Sequence, residues 1–242
     1  MNRRTFVKQT ALAAGTLMFL PSFVMDEAYS KQELMGRIRP ELLGDNFNLR
    51  RAAANAFEKM RQDAAKEGIT IYSASSYRSY EHQNGIWTRK YKKYIGQGLS
   101  PMASIKKIVR YSTIPGTSRH HWGTDLDMID LSKPTPADAL LAANYQKGGV
   151  YEALGDWLLK NANGYGFYEA YTNNSNRKGF EYEPWHYSYA PIAKPMLKDY
   201  LKLNIKEELL GAGLLGADSF TSEFIDQYIN ENIKGIHPFL QV

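Results

Sequence analysis

The sequence contains no cysteine, only five histidines among 242 residues, and no long run of consecutive basic residues. The absence of cysteine excludes disulfide bonds, thiolate metal ligands and a lipid-modified cysteine anchor. The net charge of +5 is small and scattered along the chain, which argues against a nucleic-acid-binding protein. Stability must therefore come from side-chain packing rather than from covalent cross-links.

Long apolar runs are also lacking, except near the N-terminus. There, Arg3 and Arg4 precede an apolar run at residues 11–20, which Pro21 closes. About ten apolar residues are too few to span a bilayer, but they fit the hydrophobic region of a signal peptide. The paired arginines resemble a twin-arginine export signal, and we expect residues 1–30 to be that segment. A basic N-terminus or a retained anchor is the alternative, and we expect no membrane span in the mature protein.

Periodic apolar positions predict a mixture of helices and strands. Residues 52–67 carry a broad apolar stripe followed by a glycine, which is typical of a helix and its C-terminal end. Residues 69–73 alternate as a β-strand does. Ser100-Pro101 matches a helix start, with serine as the cap and proline at the first helical position. Ser79 is expected to cap a helix that ends at about residue 94, and the helix that begins at Ser100-Pro101 is expected to end at about residue 111. Further helices are expected at 151–161, from 191 to about 209 and around residues 224–233, and strands at 125–129 and 181–189.

Two short motifs contain residue types that bind metal ions. His120 and Asp127 are seven positions apart around a glycine, and Glu183 precedes His186 by three positions. Two imidazoles and one carboxylate form a three-residue zinc shell, which leaves a fourth tetrahedral position open for water. Glu183 is then the carboxylate available as general base for hydrolysis. A single histidine is more often a packed side chain, but the joint pattern predicts a site for one zinc ion.

Both motifs resemble those of VanY-type D-alanyl-D-alanine carboxypeptidases: S-x-H-x-x-G-x-x-x-D at residues 118–127 and E-P-W-H at 183–186. This family belongs to a wider metallopeptidase group that includes lysostaphin-like enzymes and the hedgehog signalling domain. The resemblance covers residues 72–189. It implies an α+β fold, in which a small antiparallel sheet carries the zinc site and is surrounded by helices, with a C-terminal helical decoration. It also implies zinc bound by His120, Asp127 and His186, with Glu183 as the catalytic base.

One position departs from the family pattern. The family commonly has alanine or another small residue where this sequence has Asp125. Because side chains two positions apart in a strand share a face, Asp125 should lie on the same side as Asp127. It could accept hydrogen bonds that orient a metal ligand or a neighbouring arginine. A rearranged metal shell is the alternative.

Three more residues are candidates for contacting substrate. Arg78 and Gln83 match a Tyr-Arg-Ser stretch of the family with a glutamine five residues after the arginine. At a strand end, Arg78 could stabilise the oxyanion formed during amide hydrolysis or bind a substrate carboxylate. Gln83, one turn into the next helix, would face the same cleft and bind substrate amides, and the resemblance assigns Ser118 to the terminal carboxylate. The alternatives are an exposed surface arginine and a serine that caps its own backbone.

The resemblance implies that the substrate is a peptidoglycan stem peptide, cut before a terminal D-alanine. Relatives with the same constellation cut D,D-dipeptides, L,D-bonds or internal wall bonds, so the motifs leave the bond open. A non-catalytic wall-binding module with a structural zinc is a second class of interpretation. We expect residues 31–242 to form one zinc peptidase domain, with a core at about 69–190 and C-terminal helices at 191–242. We expect this domain to be a monomer in the periplasm or cell envelope.

Overall fold

A computed structural model of the protein describes residues 29–242. The predicted export signal, residues 1–30, lies outside this range except for its last two residues. Within the described range, no helix combines the length and the apolar character that crossing a membrane requires.

Four antiparallel strands form one sheet. The strands are β1 Ile71–Ser75, β2 Asp125–Asp130, β3 Phe167–Glu169 and β4 His186–Tyr189, and their order in the sheet is β1-β2-β4-β3. All six residues of β2 are buried, which confirms the prediction of a central strand here. β2 pairs with β4 in a register that sets Asp127 opposite His186.

Helices cover the sheet and form two hydrophobic clusters. Within residues 29–242, the α-helices are α1 Lys31–Leu34, α2 Arg51–Lys66, α3 Tyr80–Gly96, α4 Pro101–Ile108, α5 Glu152–Asn161, α6 Ala190–Tyr200, α7 Ile205–Leu210 and α8 Ser222–Tyr228. One cluster joins the sheet to α2 and α5, and the other is built mainly from α3, α4 and the C-terminal helices. Ser79 and Ser100 cap α3 and α4 with their side-chain oxygens, as the sequence predicted.

The last strand is shorter than predicted. Residues 181–189 were expected to be extended throughout, but β4 begins only at His186. Pro184 and Trp185 form a turn before it, and His186 N–H donates to the Glu183 carbonyl at 3.0 Å. A turn is a favourable place for proline, which has no N–H to donate to a sheet. Glu183 is therefore carried by a turn and not by the strand.

The prediction of a single helix from 191 to about 209 is also wrong. Two helices occupy this segment, α6 and α7, and residues 201–204 separate them. Asn204 favours the break, because its side chain accepts a hydrogen bond from Glu207 N–H and thereby caps α7. Helix α4 likewise ends at Ile108, earlier than predicted.

The C-terminal helices hold the turn that leads into the histidine motif. Tyr200 donates from its hydroxyl to the Gly116 carbonyl at 2.8 Å. The Tyr228 hydroxyl accepts from Ile114 N–H at 3.1 Å and lies 2.7 Å from Thr117 Oγ1. Because these groups are buried, the turn depends on the tyrosines for its hydrogen bonds. The helices beyond residue 191 therefore support the segment that carries the first motif.

We expect Tyr228→Phe to lower the free energy of unfolding by about 1–3 kcal/mol, because the buried Ile114 N–H loses its acceptor. The matched control is Tyr151→Phe. Tyr151 is fully buried, but its hydroxyl has no hydrogen-bond partner among the described residues. Removing that hydroxyl should leave stability unchanged or slightly raised. Urea denaturation of both variants measures the difference, and equal losses would contradict a specific role for the Tyr228 hydroxyl.

Candidate active site

His120, Asp127 and His186 come together although they lie far apart in the chain. Asp127 is on β2 and His186 lies opposite it on β4, while His120 belongs to a 3₁₀ turn, Arg119–Trp122. Gly123 follows that turn with a φ of +66°, and a Cβ there would meet a leucine side chain at 2.6 Å, so glycine is required. One potential ligand atom from each of the three residues lies within 4.8 Å of the others. The structure thus assembles the three predicted metal ligands.

Each histidine is oriented by a hydrogen bond on the ring nitrogen that faces away from Asp127. His120 Nδ1 donates to the Ser76 carbonyl at 2.7 Å, and His186 Nε2 donates to Asp125 Oδ1 at 3.0 Å. The opposite nitrogens, Nε2 of His120 and Nδ1 of His186, each lie 3.5 Å from an Asp127 carboxylate oxygen. An imidazole held in this way presents its second nitrogen to a metal ion.

The donor set fits a divalent cation. Asp127 Oδ1 is buried and has no hydrogen-bond partner among the described residues. Burial raises the pKa of Asp127, but the two histidines and Arg78 outweigh burial and bring it below its ordinary value. Burial, only partly offset by Asp127, lowers the pKa of His120, so this imidazole is neutral near pH 7. Two imidazoles and an ionised carboxylate are typical zinc ligands.

The surroundings of His186 favour a positive charge. Its Nδ1 lies 3.3 Å from Glu183 Oε2, and its Nε2 is bonded to Asp125. Burial by itself lowers the pKa of His186, but the hydrogen bonds to Asp125 and Glu183 outweigh burial and raise it to about 10. A metal ion at Nδ1 would supply the same positive charge in place of a proton.

Glu183 lies beside this three-residue cluster. Strand residues three positions apart point to opposite faces, so a continuous strand would hold the Glu183 side chain away from that of His186. The turn at Pro184 and Trp185 interrupts the strand and brings the two side chains together. Burial raises the pKa of Glu183, and His186 offsets this only in part. A buried carboxyl group of this kind is suited to taking up a proton and returning it.

Asp125 is a fully buried carboxylate that acts on His186 from the other side. It contacts His186 as Asp127 does, which agrees with the prediction that the two aspartates share a face of β2. It also accepts a hydrogen bond from Arg119 Nε at 2.9 Å and further bonds from two hydroxyl groups. Burial raises the pKa of Asp125, but Arg119 and His186 outweigh burial and keep the group ionised. Asp125 therefore orients both a candidate ligand and a neighbouring arginine.

Arg78 lines the same cavity, with Nη2 4.0 Å from Asp127 Oδ2. Its guanidinium donates to Gln83 Oε1 and to Ser75 Oγ, both at 2.8 Å. The prediction that Gln83 binds substrate needs correction, because Gln83 is fully buried and its amide also donates to the Thr113 carbonyl at 2.8 Å. Every polar atom of the Gln83 side chain is thus engaged within the protein. Gln83 fixes the direction of Arg78 instead.

Ser118 presents an unpaired hydroxyl to the cavity. The residue is only 1% exposed, and its Oγ has no hydrogen-bond partner among the described residues. Although Ser118 precedes the 3₁₀ turn, its side chain does not cap that turn. The alternative of a local cap is therefore excluded, and the hydroxyl is available to a ligand.

The cavity has a volume of about 430 Å³, within the range of sites for small molecules and short peptides. Trp185, from the second motif, forms part of its wall. The lining also includes residues that the motifs do not indicate, among them Lys90 on α3 and Tyr171, whose ring centre lies 4.9 Å from that of His186. Helical spacing could have identified Lys90, which follows Gln83 by seven positions and so shares its face of α3.

His121, next to His120, has a structural role. Its Nδ1 donates to the Arg78 carbonyl, and its Nε2 accepts from Gly116 N–H at 3.1 Å. Burial lowers the pKa of His121 to about 3, so the ring is neutral and both hydrogen bonds are kept at ordinary pH. The His121 ring therefore links the segment after β1, which contains Arg78, to the turn before Ser118.

We expect Asp125→Asn to lower the zinc affinity of the protein about 10- to 100-fold, because an amide orients His186 less strongly than a carboxylate. Asp130→Asn is the matched control, since Asp130 is a buried carboxylate on the same strand that bonds to Thr70 and Ser132. Competition with a chromophoric zinc chelator measures both affinities. An Asp125→Asn variant that binds zinc as tightly as the parent protein would refute this role.

Comparison with known proteins identifies a matching family and several relatives. The family model described as VanY, D-alanyl-D-alanine carboxypeptidase, matches residues 46–192. An uncharacterized protein of Haemophilus influenzae is 31% identical over 122 residues, which are 50% of this chain and 92% of that protein. The putative carboxypeptidase YodJ of Bacillus subtilis is 31% identical over a stretch that covers 58% of this chain and 46% of YodJ. A D-alanyl-D-alanine carboxypeptidase of Enterococcus faecalis is 30% identical over a stretch that covers 54% of this chain and 44% of the enterococcal protein. The chain thus spans less than half of these two named relatives.

Solved structures show the same fold. A mutant of the vancomycin resistance D,D-pentapeptidase VanY from a VanB-type cassette, in complex with Zn(II), matches with a TM-score of 0.50 and 22% identity, over 70% of this chain and 88% of that chain. VanYB in complex with D-alanine-D-alanine matches with a TM-score of 0.51 and 22% identity, over 71% and 87% of the two chains. Both agree with a small antiparallel sheet surrounded by helices. Because the family model covers more than half of the sequence, the chain belongs to the VanY family of D-alanyl-D-alanine carboxypeptidases.

Proposed function

We propose that the protein is a zinc-dependent peptidase that removes the terminal D-alanine from peptidoglycan stem peptides. One observation carries the proposal: the carboxylate of Glu183 lies beside the cluster of His120, Asp127 and His186 at a cavity large enough for a peptide end. Family membership supports it, as do the Zn(II) and the D-alanine-D-alanine with which the two similar proteins form complexes in the solved structures.

A single zinc ion would be held by three residues, His120 through Nε2, His186 through Nδ1 and Asp127 through its carboxylate. When bound, zinc acidifies a water molecule and polarises the carbonyl group of the bond to be cut. The protein contributes the orientation of these ligands. Ser76 and Asp125 hold the two imidazole rings, and the paired strands β2 and β4 hold Asp127 opposite His186.

Glu183 is the proposed general base and acid. Its Oε2 takes the proton of the attacking water and returns it to the nitrogen of the leaving D-alanine. The raised pKa of the buried Glu183 carboxyl favours the return of the proton, because the carboxyl group stays protonated until it donates to the leaving nitrogen. A non-catalytic wall-binding module would have no use for a buried carboxylate at this point.

Arg78 and Ser118 are proposed to act on the substrate itself. The Arg78 guanidinium is directed by Gln83 and Ser75 toward the cluster, where it can stabilise negative charge that develops on the scissile carbonyl oxygen. The unpaired hydroxyl of Ser118 can donate to the terminal carboxylate of the peptide. Together they would place the last peptide bond beside Glu183.

We also propose that residues 31–242 act in the cell envelope after export. A peptidoglycan substrate lies outside the cytoplasm, and this supports the export signal expected from Arg3 and Arg4. That segment lies outside the described part of the chain.

Defined muropeptides test the function directly. Zinc-loaded protein incubated with a muramoyl pentapeptide ending in D-alanyl-D-alanine should release one D-alanine, detected by mass spectrometry, and a chelator should stop the release until zinc is restored. Release of D-alanine only from the tetrapeptide would instead indicate L,D-carboxypeptidase activity. Release of a dipeptide or cleavage of a cross-link would indicate a dipeptidase or an endopeptidase. No product from any of these substrates would refute the proposal.

We expect Glu183→Gln to lower kcat at least about a thousandfold, since the amide cannot exchange the proton. Zinc content should remain at the parent level, whereas His120→Ala and His186→Ala should lose both zinc and activity. Glu181→Gln is the matched control, because Glu181 is two residues away and pairs with Arg110 at the surface. Near-parental hydrolysis by Glu183→Gln would show that another group is the base.

A further inference from the structure

The basic residues are distributed less evenly than the small net charge indicates. Between Glu81 and Asp125 the sequence contains no aspartate or glutamate, but it contains eight lysines and arginines: Arg89, Lys90, Lys92, Lys93, Lys106, Lys107, Arg110 and Arg119. Since the whole chain has a formal net charge of +5, the rest of the sequence is net negative. The positive charge of the protein is therefore concentrated in the part that forms α3, α4 and the turn after them.

Five of these cations form an exposed surface on the pair of helices α3 and α4. They are Arg89, Lys92, Lys93, Lys106 and Lys107. Because positions three and four residues apart share a helix face, Arg89, Lys92 and Lys93 are neighbours on the side of α3 away from its buried residues. The Lys107 ammonium lies 4.5 Å from the centre of the Tyr94 ring, which places α4 alongside the C-terminal half of α3.

No acidic side chain compensates these charges. In the described range none of the five cations forms an ion pair, whereas Arg110 pairs with Glu181 and Arg119 with Asp125. Like charges four positions apart destabilise a helix, so Arg89 and Lys93 repel each other when no anion is bound. A surface of this kind favours an anionic partner that supplies the missing charge.

Apolar side chains accompany the basic ones at the end of the helix pair. Ile95, in the last turn of α3, is 38% exposed, and Leu99 and Met102 in and after the connection to α4 are partly exposed. Within residues 29–242, none of these three belongs to either hydrophobic cluster. A soluble polyanion would need only the positive charges. Exposed apolar side chains next to lysine and arginine are instead typical of proteins that bind the surface of an anionic lipid bilayer.

We propose that this end of the α3–α4 pair, residues 89–107, is a docking surface for an anionic phospholipid bilayer. Ile95, Leu99 and Met102 enter the boundary between headgroups and acyl chains, and the five cations contact the lipid phosphates. Binding is peripheral and reversible, because the inserted apolar area is small. This inference goes beyond the proposed peptidase function and does not depend on it.

Docking at this surface leaves the metal-ligand cluster clear of the bilayer. Gln83, which directs Arg78 at the cluster, precedes Ile95 by about 18 Å along the axis of α3. A bilayer at the far end of the helix therefore holds the protein at the membrane without covering His120, Asp127 or His186.

Vesicle co-sedimentation tests the docking surface. Residues 29–242 contain the whole sheet and both hydrophobic clusters, and this part is used because the apolar run at residues 11–20 would add lipid binding of its own. The partition coefficient should be about a hundredfold higher for vesicles of equal parts phosphatidylglycerol and phosphatidylcholine than for phosphatidylcholine alone, and high salt should lower it. Lys92→Glu combined with Lys93→Glu should lower it at least about tenfold, and Ile95→Asn about fivefold.

Lys160→Glu and Leu159→Asn are the matched controls. They change an exposed cation and an exposed apolar side chain on α5, which packs in the other hydrophobic cluster, and both should bind vesicles as the parent protein does. Circular dichroism shows that each variant is folded, and none of the changed residues lines the catalytic cavity.

Three outcomes would overturn the proposal. They are equal binding of the parent protein to both kinds of vesicle, variants at Lys92, Lys93 and Ile95 that bind like the parent, and binding to isolated cell walls but not to vesicles. The last outcome would assign the basic surface to a wall polymer. Because vesicle binding requires no hydrolysis, failure here is distinct from failure of the muropeptide assay.

Discussion

The site depends on the pairing of Asp127 with His186 across two antiparallel strands. β2 and β4 are neighbours in the sheet, and their register sets these two residues directly opposite each other. Side chains at such positions lie within about 5.5 Å of one another, close enough to share a metal ion. A shift of one residue would turn Asp127 to the other face of the sheet and separate the ligands. Because β2 is completely buried, that shift would also move its aspartates into the apolar core, so the hydrophobic core and the candidate metal site require the same register.

The same face of β2 holds a second buried carboxylate, and its charge must be compensated. Asp125 is inaccessible to solvent, and an isolated carboxylate there would be unstable. Arg119, His186 and two hydroxyl groups provide the compensation. In return, Asp125 holds His186 with Nδ1 toward Asp127. Asp125 thus adds a charged hydrogen-bond acceptor behind the candidate ligand His186, and Arg119 from the adjacent 3₁₀ turn balances its charge.

Much of this arrangement could be predicted from the sequence, because it depends on spacing within short segments. The candidate ligands, Glu183 and the central strand followed from the two motifs and from strand alternation. The error at Gln83 concerns contacts made between distant segments. Gln83 could be placed on the correct side of α3, but only the positions of Arg78 and Thr113 show that its amide is fully engaged. The error at Asn204 is local instead, because a side-chain cap there interrupts an otherwise continuous helical pattern.

The two hydrophobic clusters meet at the cavity, and this gives the C-terminal helices a function beyond packing. Trp185, from the cluster that contains the sheet, forms one part of the wall, and Tyr171 and Phe180, from the other cluster, form another. The second cluster includes Tyr200 and Tyr228, which hold the turn before Ser118. A change in the packing of α6 or α8 would therefore move that turn, and with it the Ser118 hydroxyl relative to the sheet. Since His120 follows Ser118 by two residues, the unpaired Ser118 hydroxyl and the candidate metal ligand His120 are positioned by one short segment, which the sheet anchors at Asp125 and the C-terminal helices anchor at Gly116.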